Sequence, residues 1–241
     1  MIGILRAEVL KLRRSLVVFV LAVPPVMIFL LAVLVRISGN GPDIWLIQAM
    51  ATSAIWAYFL LPMTATGMTA LLAQLEHSTN MWSHILALPP AKWKIFTAKW
   101  LVAIALMAIA SGLVWGSIFA AGHTGNALAP DHAMTGPVPY WEAAKLLGKM
   151  FAASILLIAV QLGIALRFNS FALPVSVGVG GTFVAVAATS SKYGIYFPWL
   201  LPVNMLASEA ERGELALMIG AIGGLALLIA MTIWLARRDW K

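Results

Sequence analysis

The chain has 241 residues, of which 62% are hydrophobic and only 10% are charged, and its formal net charge is +7. Soluble domains are about half apolar and about a quarter charged, so this composition excludes a water-soluble protein and indicates a polytopic membrane protein. In such a protein, retention of basic residues on the cytoplasmic side explains the positive charge better than nucleic-acid binding does. Cysteine is absent, which excludes disulfides, thiolate metal sites and a cysteine nucleophile.

Residues 1–14 predict a basic amphipathic helix that lies on the anionic cytoplasmic surface of the membrane. One face of this helix is apolar and the other faces are mostly basic. The apolar residues are Ile2, Leu5, Val9 and Leu12, and the basic residues are Arg6, Lys11, Arg13 and Arg14. The same charges would also orient the first membrane span, and the two roles are compatible.

Six apolar runs follow, and each predicts a membrane-spanning helix within a single transmembrane domain over residues 1–241. The first run is too long for the apolar region of a cleaved signal peptide, so we expect an uncleaved span. Pro24 and Pro25 predict a kink in it. Lys99 and Trp100 stand near the start of the third run, where interfacial anchors are typical. The predicted spans are residues 16–35, 44–75, 95–122, 140–166, 171–189 and 215–235.

Small residues and amides offer contacts between these spans. Two GxxxG pairs, at residues 112–116 and 220–224, permit close helix approach. Gln48 and Gln161 predict hydrogen bonds that hold helices together rather than substrate ligands. Residues 190–214 are less apolar, rich in aromatic residues and broken by Pro198 and Pro202. A stretch of this kind indicates an interfacial or re-entrant element on the outer side.

The distribution of basic residues predicts the orientation of the chain. Six spans place both termini on one side, and that side carries eleven lysines and arginines against five on the other. Because cytoplasmic loops carry the excess of positive charge, we expect both termini in the cytoplasm. The eleven are Arg6, Lys11, Arg13, Arg14, Lys92, Lys94, Lys99, Arg167, Arg237, Arg238 and Lys241, and the five are Arg36, Lys145, Lys149, Lys192 and Arg212.

A polar stretch at residues 76–90 separates the second and third spans and predicts a short amphipathic helix on the cytoplasmic surface. Its apolar residues recur at helical spacing, polar residues at 78–80 can cap its start, and Pro89 with Pro90 ends it. The apolar residues are Met81, Trp82, Ile85, Leu86 and Leu88.

The sequence carries no signature of catalysis or of nucleotide binding. It has no GxxxxGK[ST] phosphate loop and no GxGxxG dinucleotide motif, and its four histidines are not spaced as metal ligands. The middles of the predicted spans lack Asp, Glu, Lys and Arg, which disfavours an ion-coupled carrier or an intramembrane enzyme. We therefore expect no enzymatic activity, cofactor or metal in this chain, and a partner that supplies the driving force.

The segment around the predicted surface helix carries a family pattern, together with the basic N-terminus and the six spans. The residues of this pattern are Glu76, Trp82, Leu86, Leu88-Pro89, Lys92 and Ala98-Lys99, with Ala7, Glu8 and Lys11 near the N-terminus. They resemble the membrane subunits of ABC-2 type transporters, especially the small permeases of the bacitracin-resistance and lantibiotic-immunity type.

The resemblance implies that residues 76–90 form a coupling helix that docks into a groove of a separate ATPase subunit. Two ATPase copies would then bind and hydrolyse ATP and rearrange two permeases, the second being a copy or a paralogue. Glu76 would pair with a basic residue of the ATPase or favour the helix dipole. The docking residues implied are Glu76, Met81, Trp82, Ile85, Leu86 and Pro89.

The function implied is that of a permease subunit of an ATP-driven exporter in the bacterial plasma (inner) membrane. It would move an antimicrobial peptide, a drug or another amphiphile out of the cell or membrane. The alternative is a non-transporting membrane scaffold or sensor subunit bound to an ATPase.

Overall fold

The computed structural model describes residues 1–13, 15–77 and 91–237. Apart from an isolated bridge between Ile44 and Thr135, the described residues contain no β-structure. The all-α prediction is therefore confirmed for this part of the chain. The α-helices are α1 (Ile2–Leu12), α2 (Val17–Ile37), α3 (Trp45–Ile55), α4 (Leu61–His77), α5 (Lys92–Leu128), α6 (Tyr140–Ala153), α7 (Ile155–Arg167), α8 (Ala172–Ala187), α9 (Ala210–Met218) and α10 (Gly224–Arg237).

Five helical runs of the described chain are long and apolar enough to cross a membrane, which confirms a multi-pass membrane protein. They are Val17–Ile37, Trp45–His77, Lys92–Leu128, Tyr140–Arg167 and Ala210–Arg237. The remaining predicted span, at residues 171–189, corresponds to α8, an apolar helix of 16 residues. At 1.5 Å per residue this helix is about 24 Å long, which is less than the ~30 Å hydrocarbon thickness of a bilayer.

Two of the long runs contain a π-helical turn. The turn at Trp56–Leu60 joins α3 to α4, and the turn at Ile219–Gly223 joins α9 to α10. Pro62 follows the first turn and has no N–H group to donate to the preceding residues. A locally widened helix accommodates this missing hydrogen bond.

Helix α5 is the longest element of the described chain. Its 37 residues correspond to about 55 Å at 1.5 Å per residue. Its most extensive helix contact is with α2, and Phe96 near its start and Ile118 towards its end are both fully buried. Helix α5 therefore connects the two ends of the bundle as one continuous element.

The two GxxxG pairs differ in their packing. A Cβ atom at Gly224 would stand 2.5 Å from the backbone nitrogen of Leu156, and one at Gly220 would meet backbone at the end of α6. This π-helical run thus approaches the α6–α7 backbone so closely that it needs glycine. An added Cβ at either residue of the 112–116 pair, by contrast, would contact no described atom within 4 Å apart from its chain neighbours and the nearby backbone of its own helix.

The amide of Gln161 lies where α4, α7 and α8 meet, and it is fully buried. The groups around it orient its oxygen towards the backbone nitrogen of Gly178 (3.1 Å) and the hydroxyl of Thr66 (3.3 Å), and its nitrogen towards the carbonyl of Pro174 (3.3 Å). A buried amide in a membrane protein needs such partners. The predicted role of Gln161 in joining helices agrees with this arrangement.

The segment between α8 and α9 folds back into the bundle. It contains short 3₁₀ helices at Lys192–Tyr196 and Val203–Leu206. Between them, Leu201 is fully buried and the indole of Trp199 donates a hydrogen bond to the carbonyl of Gly178 (3.2 Å), inside α8. Residues 190–214 were predicted to form an interfacial or a re-entrant element, and this packing agrees with the second of these. We call residues 188–209 the re-entrant segment.

Arg36 belongs to α2 rather than to the loop that the sequence predicted after residue 35. Its guanidinium is buried and donates to the carbonyls of His132 (2.8 Å) and Pro42 (2.5 Å). A Cβ atom at Gly125 would stand 2.8 Å from Arg36 Cγ, so the glycine leaves room for this side chain. Arg36 thereby ties together the two loops at the end of the bundle opposite to α1.

Candidate functional site: a buried charge cluster beside the predicted coupling segment

Four charged side chains meet inside the protein at the end of the bundle where α1 lies. One acidic residue comes from α1 and one from α4, and the basic residues come from α1 and α5. These side chains are largely withdrawn from the surface, since their exposed fractions are 7% for Glu8, 1% for Glu76, 2% for Lys99 and 30% for Lys11. We call Glu8, Lys11, Glu76 and Lys99 the charge cluster.

Each ammonium group of the cluster contacts both carboxylates. Lys99 Nζ lies 2.6 Å from Glu76 Oε1 and 3.1 Å from Glu8 Oε2. Lys11 Nζ lies 2.6 Å from Glu8 Oε1 and 2.9 Å from Glu76 Oε1. The charges alternate around the cluster and sum to zero, which is the condition under which buried charges are tolerated.

Helical spacing explains how α1 contributes two members. Glu8 and Lys11 are three residues apart and lie on the same side of a helix. This side packs against α5 and also carries the buried Leu12. Of the predicted apolar face, Ile2 and Val9 instead stay exposed on the protein surface, at 84% and 52%. The carboxylate of Glu8, rather than a purely apolar stripe, therefore faces the protein.

Helices α4 and α5 contribute one member each, one at the first residue of the predicted coupling segment (76–90) and one in the helix that follows this segment. Glu76 is the penultimate residue of α4, which ends at His77. Lys99 lies two turns inside α5, which begins at Lys92. Both helices that flank residues 78–90 are thus bound to α1 through the same cluster.

The pKa values of the α1 members reflect their partners. Burial by itself would raise the pKa of Glu8, but the ammonium groups of Lys99 and Lys11 outweigh it and hold this pKa below its ordinary value of 4.5. Burial likewise opposes the charge of Lys11, but the carboxylates of Glu8 and Glu76 raise its pKa above 10.5. Both side chains are therefore ionised at neutral pH.

The cluster changes one interpretation made from the sequence and adds to a second. Lys99 is a buried ion partner and not an anchor at the membrane interface, because its side chain is only 2% exposed and its ammonium group contacts the carboxylates of Glu8 and Glu76. Glu76 was expected to meet a basic residue of an ATPase or a helix dipole. Among the described residues, Lys11 and Lys99 of its own chain contact its carboxylate. A docking role for Glu76 stays a prediction.

The remaining predicted docking residues lie outside the described part of the chain, so their docking role stays a prediction. These residues are Met81, Trp82, Ile85, Leu86 and Pro89. The described residues contain no group of three or more His, Cys, Asp or Glu side chains that could hold a metal ion.

Sequence reasoning did not bring the four members of the cluster together. Three signals pointed to it: an acidic and a basic residue three apart in the amphipathic first helix, a glutamate at the end of one span, and a lysine inside the next. Each was explained separately by topology or by docking. Only the packing of α1 on α5 shows that they share one site.

Comparison with known proteins supports a transport role. A family model described as ABC-2 family transporter protein matches residues 4–185, which include all four members of the charge cluster. No curated protein and no solved structure matches the chain. The family match covers 182 of the 241 residues and agrees with the all-helical, multi-pass architecture. The chain therefore belongs to the ABC-2 family of transporter proteins and is a membrane-spanning permease subunit of an ABC transporter, a component that pairs with an ABC ATPase.

Proposed function

We propose that this permease exports an amphiphile, such as an antimicrobial peptide or a drug, and is of the bacitracin-resistance and lantibiotic-immunity type. Residues 76–90 form the coupling helix, on which one of two ATPase copies docks. ATP binds and is hydrolysed on those subunits, and the permease works with a second copy or a paralogue. The membrane is the bacterial plasma (inner) membrane. Helix α8 makes a sixth crossing together with the re-entrant segment, so that both termini are cytoplasmic.

The observation that carries this proposal is the position of the charge cluster. Glu76 is the first residue of the coupling segment and also belongs to α4, and Lys99 lies in the helix that follows the segment. A force applied to the segment reaches α4 and α5 directly, and it reaches α1 through Glu8 and Lys11. Docking of an ATPase would therefore displace three helices together rather than one loop.

Helix α5 offers a route from this end of the bundle to the other. It is one continuous element of about 55 Å, and a rigid helix transmits displacement along its axis. Near its far end, Gly125 packs against Arg36, which holds the loops there. Motion that begins at the coupling segment can thus change the outer loops without local unfolding of the helix.

An amphiphilic substrate fits the character of the surface. A groove of about 480 Å³ lies between α7 and α10, lined mostly by apolar residues such as Met231 and Ile164, with Arg167 at one end. This volume falls within the roughly 300–1,000 Å³ of small-molecule sites. An apolar groove with a cation at its end suits a molecule with an apolar body and a polar or anionic group.

The docking role can be tested on Trp82, the large aromatic residue of the coupling segment. Trp82→Ala should reduce co-purification with the ATPase and lower its turnover, because aromatic anchors carry much of the binding energy of an interface. The matched control is Trp141→Ala, which removes an exposed tryptophan from the start of α6. If Trp82→Ala and the control both behave as wild type, residues 76–90 are not the docking element.

Export itself is tested with the complex of permease and ATPase in liposomes. Transport predicts that an amphiphilic substrate stimulates ATP hydrolysis and leaves the vesicle membrane in an ATP-dependent manner. A scaffold or sensor subunit would bind the ATPase normally and show neither effect.

A further inference from the structure

A polar cavity of about 220 Å³ lies in the half of the bundle opposite to the charge cluster. It is framed by the π-helical turn at Trp56–Leu60, which contributes Tyr58, by the re-entrant segment, which contributes Asn204, and by the start of α9. Glu209 and Arg212 bring opposite charges to its wall. No member of the charge cluster lines it.

The guanidinium of Arg212 is held in place by the re-entrant segment. Its Nε donates to the side-chain oxygen of Asn204 (2.7 Å), and one Nη donates to the carbonyl of Ser191 (3.3 Å). Asn204 is itself only 5% exposed and donates to the carbonyl of Leu200 (2.8 Å). An arginine has five N–H donors, and the described residues occupy two of them. The guanidinium is thus positioned, with donor capacity left over.

Glu209 lines the same cavity as Arg212 but does not pair with it. Within the described part of the chain, these two side chains form no ion pair, although they are three residues apart at the start of α9. The hydroxyl-bearing residues Tyr58 and Ser208 also line the wall. The cavity therefore offers separate partners for an anion and for a cation.

The size of the cavity limits the ligand. At ~30 Å³ per water molecule, 220 Å³ corresponds to roughly seven waters, or a group of about that many heavy atoms. A phosphate joined to a primary ammonium by two carbons is of this size. It carries both charges that the wall would complement, and charge-assisted hydrogen bonds to arginine and carboxylate are the strong ones.

We propose that this cavity binds a phosphoethanolamine headgroup, with the phosphate on Arg212 and the ammonium on Glu209. In the orientation given under the proposed function, the cavity lies on the outer side of the membrane, where the headgroup of an amphiphile would emerge. The binding chemistry does not depend on the ATPase. A failure of headgroup binding would therefore leave the ATPase-docking proposal untouched, and a failure of docking would leave the headgroup proposal untouched.

The test is calorimetric titration of the purified full chain in detergent with short-chain phosphatidylethanolamine. Short-chain phosphatidylglycerol, which lacks the ammonium group, and phosphatidylcholine, whose ammonium cannot donate a hydrogen bond, are the comparison probes. We expect phosphatidylethanolamine to bind about tenfold more tightly than either. Equal binding of the three probes would overturn the proposal. Soluble phosphoethanolamine distinguishes the source of the headgroup: if it binds as tightly as the lipid, the ligand is a soluble headgroup compound.

Glu209→Gln separates recognition from folding. Glu209 is exposed, and the described residues form no ion pair with it, so this substitution should leave the fold intact. It should reduce the affinity for phosphatidylethanolamine to that for phosphatidylglycerol. Glu211→Gln makes the same charge change on an exposed residue of α9 that does not line the cavity, and it should keep the preference. If the two variants bind alike, the assignment of the ammonium to Glu209 is wrong. Arg212→Gln should weaken phosphatidylethanolamine and phosphatidylglycerol equally.

Discussion

Replacing Lys99 by methionine removes one of the two ammonium groups that neutralise Glu8 and Glu76. The distances from Lys99 Nζ to these carboxylates are 3.1 and 2.6 Å, and the lysine side chain is only 2% exposed, so water does not replace it. Loss of one partner of a buried ion pair costs about 3–5 kcal/mol. Because Lys99 connects α5 to α1, we expect part of this cost to appear as detachment of α1 from the bundle.

Detachment can be measured with single-cysteine reporters, since the chain has no cysteine of its own. Leu12→Cys places a thiol at a buried position of α1, and Val9→Cys places one at an exposed position. If Lys99→Met weakens the docking of α1 by about 3 kcal/mol, modification of the Leu12→Cys reporter should become about a hundredfold faster. The Val9→Cys reporter should react at the same rate in both backgrounds.

The control is Lys149→Met, which removes a positive charge from an exposed position of α6. A second variant, Lys99→Met with Glu76→Gln, restores the balance of charge and should slow the reaction at Leu12→Cys again. If that reporter reacts equally fast in the Lys99→Met and Lys149→Met backgrounds, the charge cluster does not hold α1 in place.

Three further predictions test the fold and its orientation. The pKa of Glu8 is lowered from its ordinary value of 4.5, so the ionised carboxylate contributes its full stabilisation above pH 4.5 and loses it as the pH falls through the lowered pKa. The melting temperature of the wild type should therefore fall in this acidic range, and that of Glu8→Gln should fall less. Gly178→Ala places a methyl group against α4 and should cost about 1–3 kcal/mol of stability in denaturation experiments, whereas Gly180→Ala meets no described atom within 4 Å and should not. Finally, a membrane-impermeant thiol reagent applied to intact cells should label Asp131→Cys but not Ile85→Cys, and the reverse pattern would overturn the proposed orientation.

Composition and apolar run length were sufficient to predict five of the membrane-crossing helices. The first and last residues of the helices were predicted less well. Polar residues do not end a helix as long as its backbone N–H and C=O groups can still form hydrogen bonds. Helix α5 continues past the predicted end at residue 122 to Leu128, and His123 and Asn126 in this extension form hydrogen bonds with Tyr140 and Met134. The apolar run at 171–189 contains a helix of only 16 residues, since the chain turns back after Ala187.

The charge cluster was beyond sequence reasoning for a physical reason. Periodicity places the apolar residues of α1 on one face and assumes that this face is buried. The stability of the cluster instead depends on charges from distant parts of the chain that neutralise each other on burial. A local sequence pattern cannot predict which distant charges will pair. Glu8 was therefore treated as part of a surface helix, and Lys99 as an anchor.

The order of protein synthesis has a consequence for the charge cluster. Lys11 is separated from Glu76 by 65 residues, and Glu8 from Lys99 by 91. At about 5–20 residues per second, Lys99 is made roughly 5–20 s after Glu8. During this interval Glu8 has Lys11 as its partner, three residues away on the same helix. The contact between Glu8 and Lys11 can therefore form before the other contacts of the charge cluster, and those of Lys99 form only once the chain has been made as far as α5.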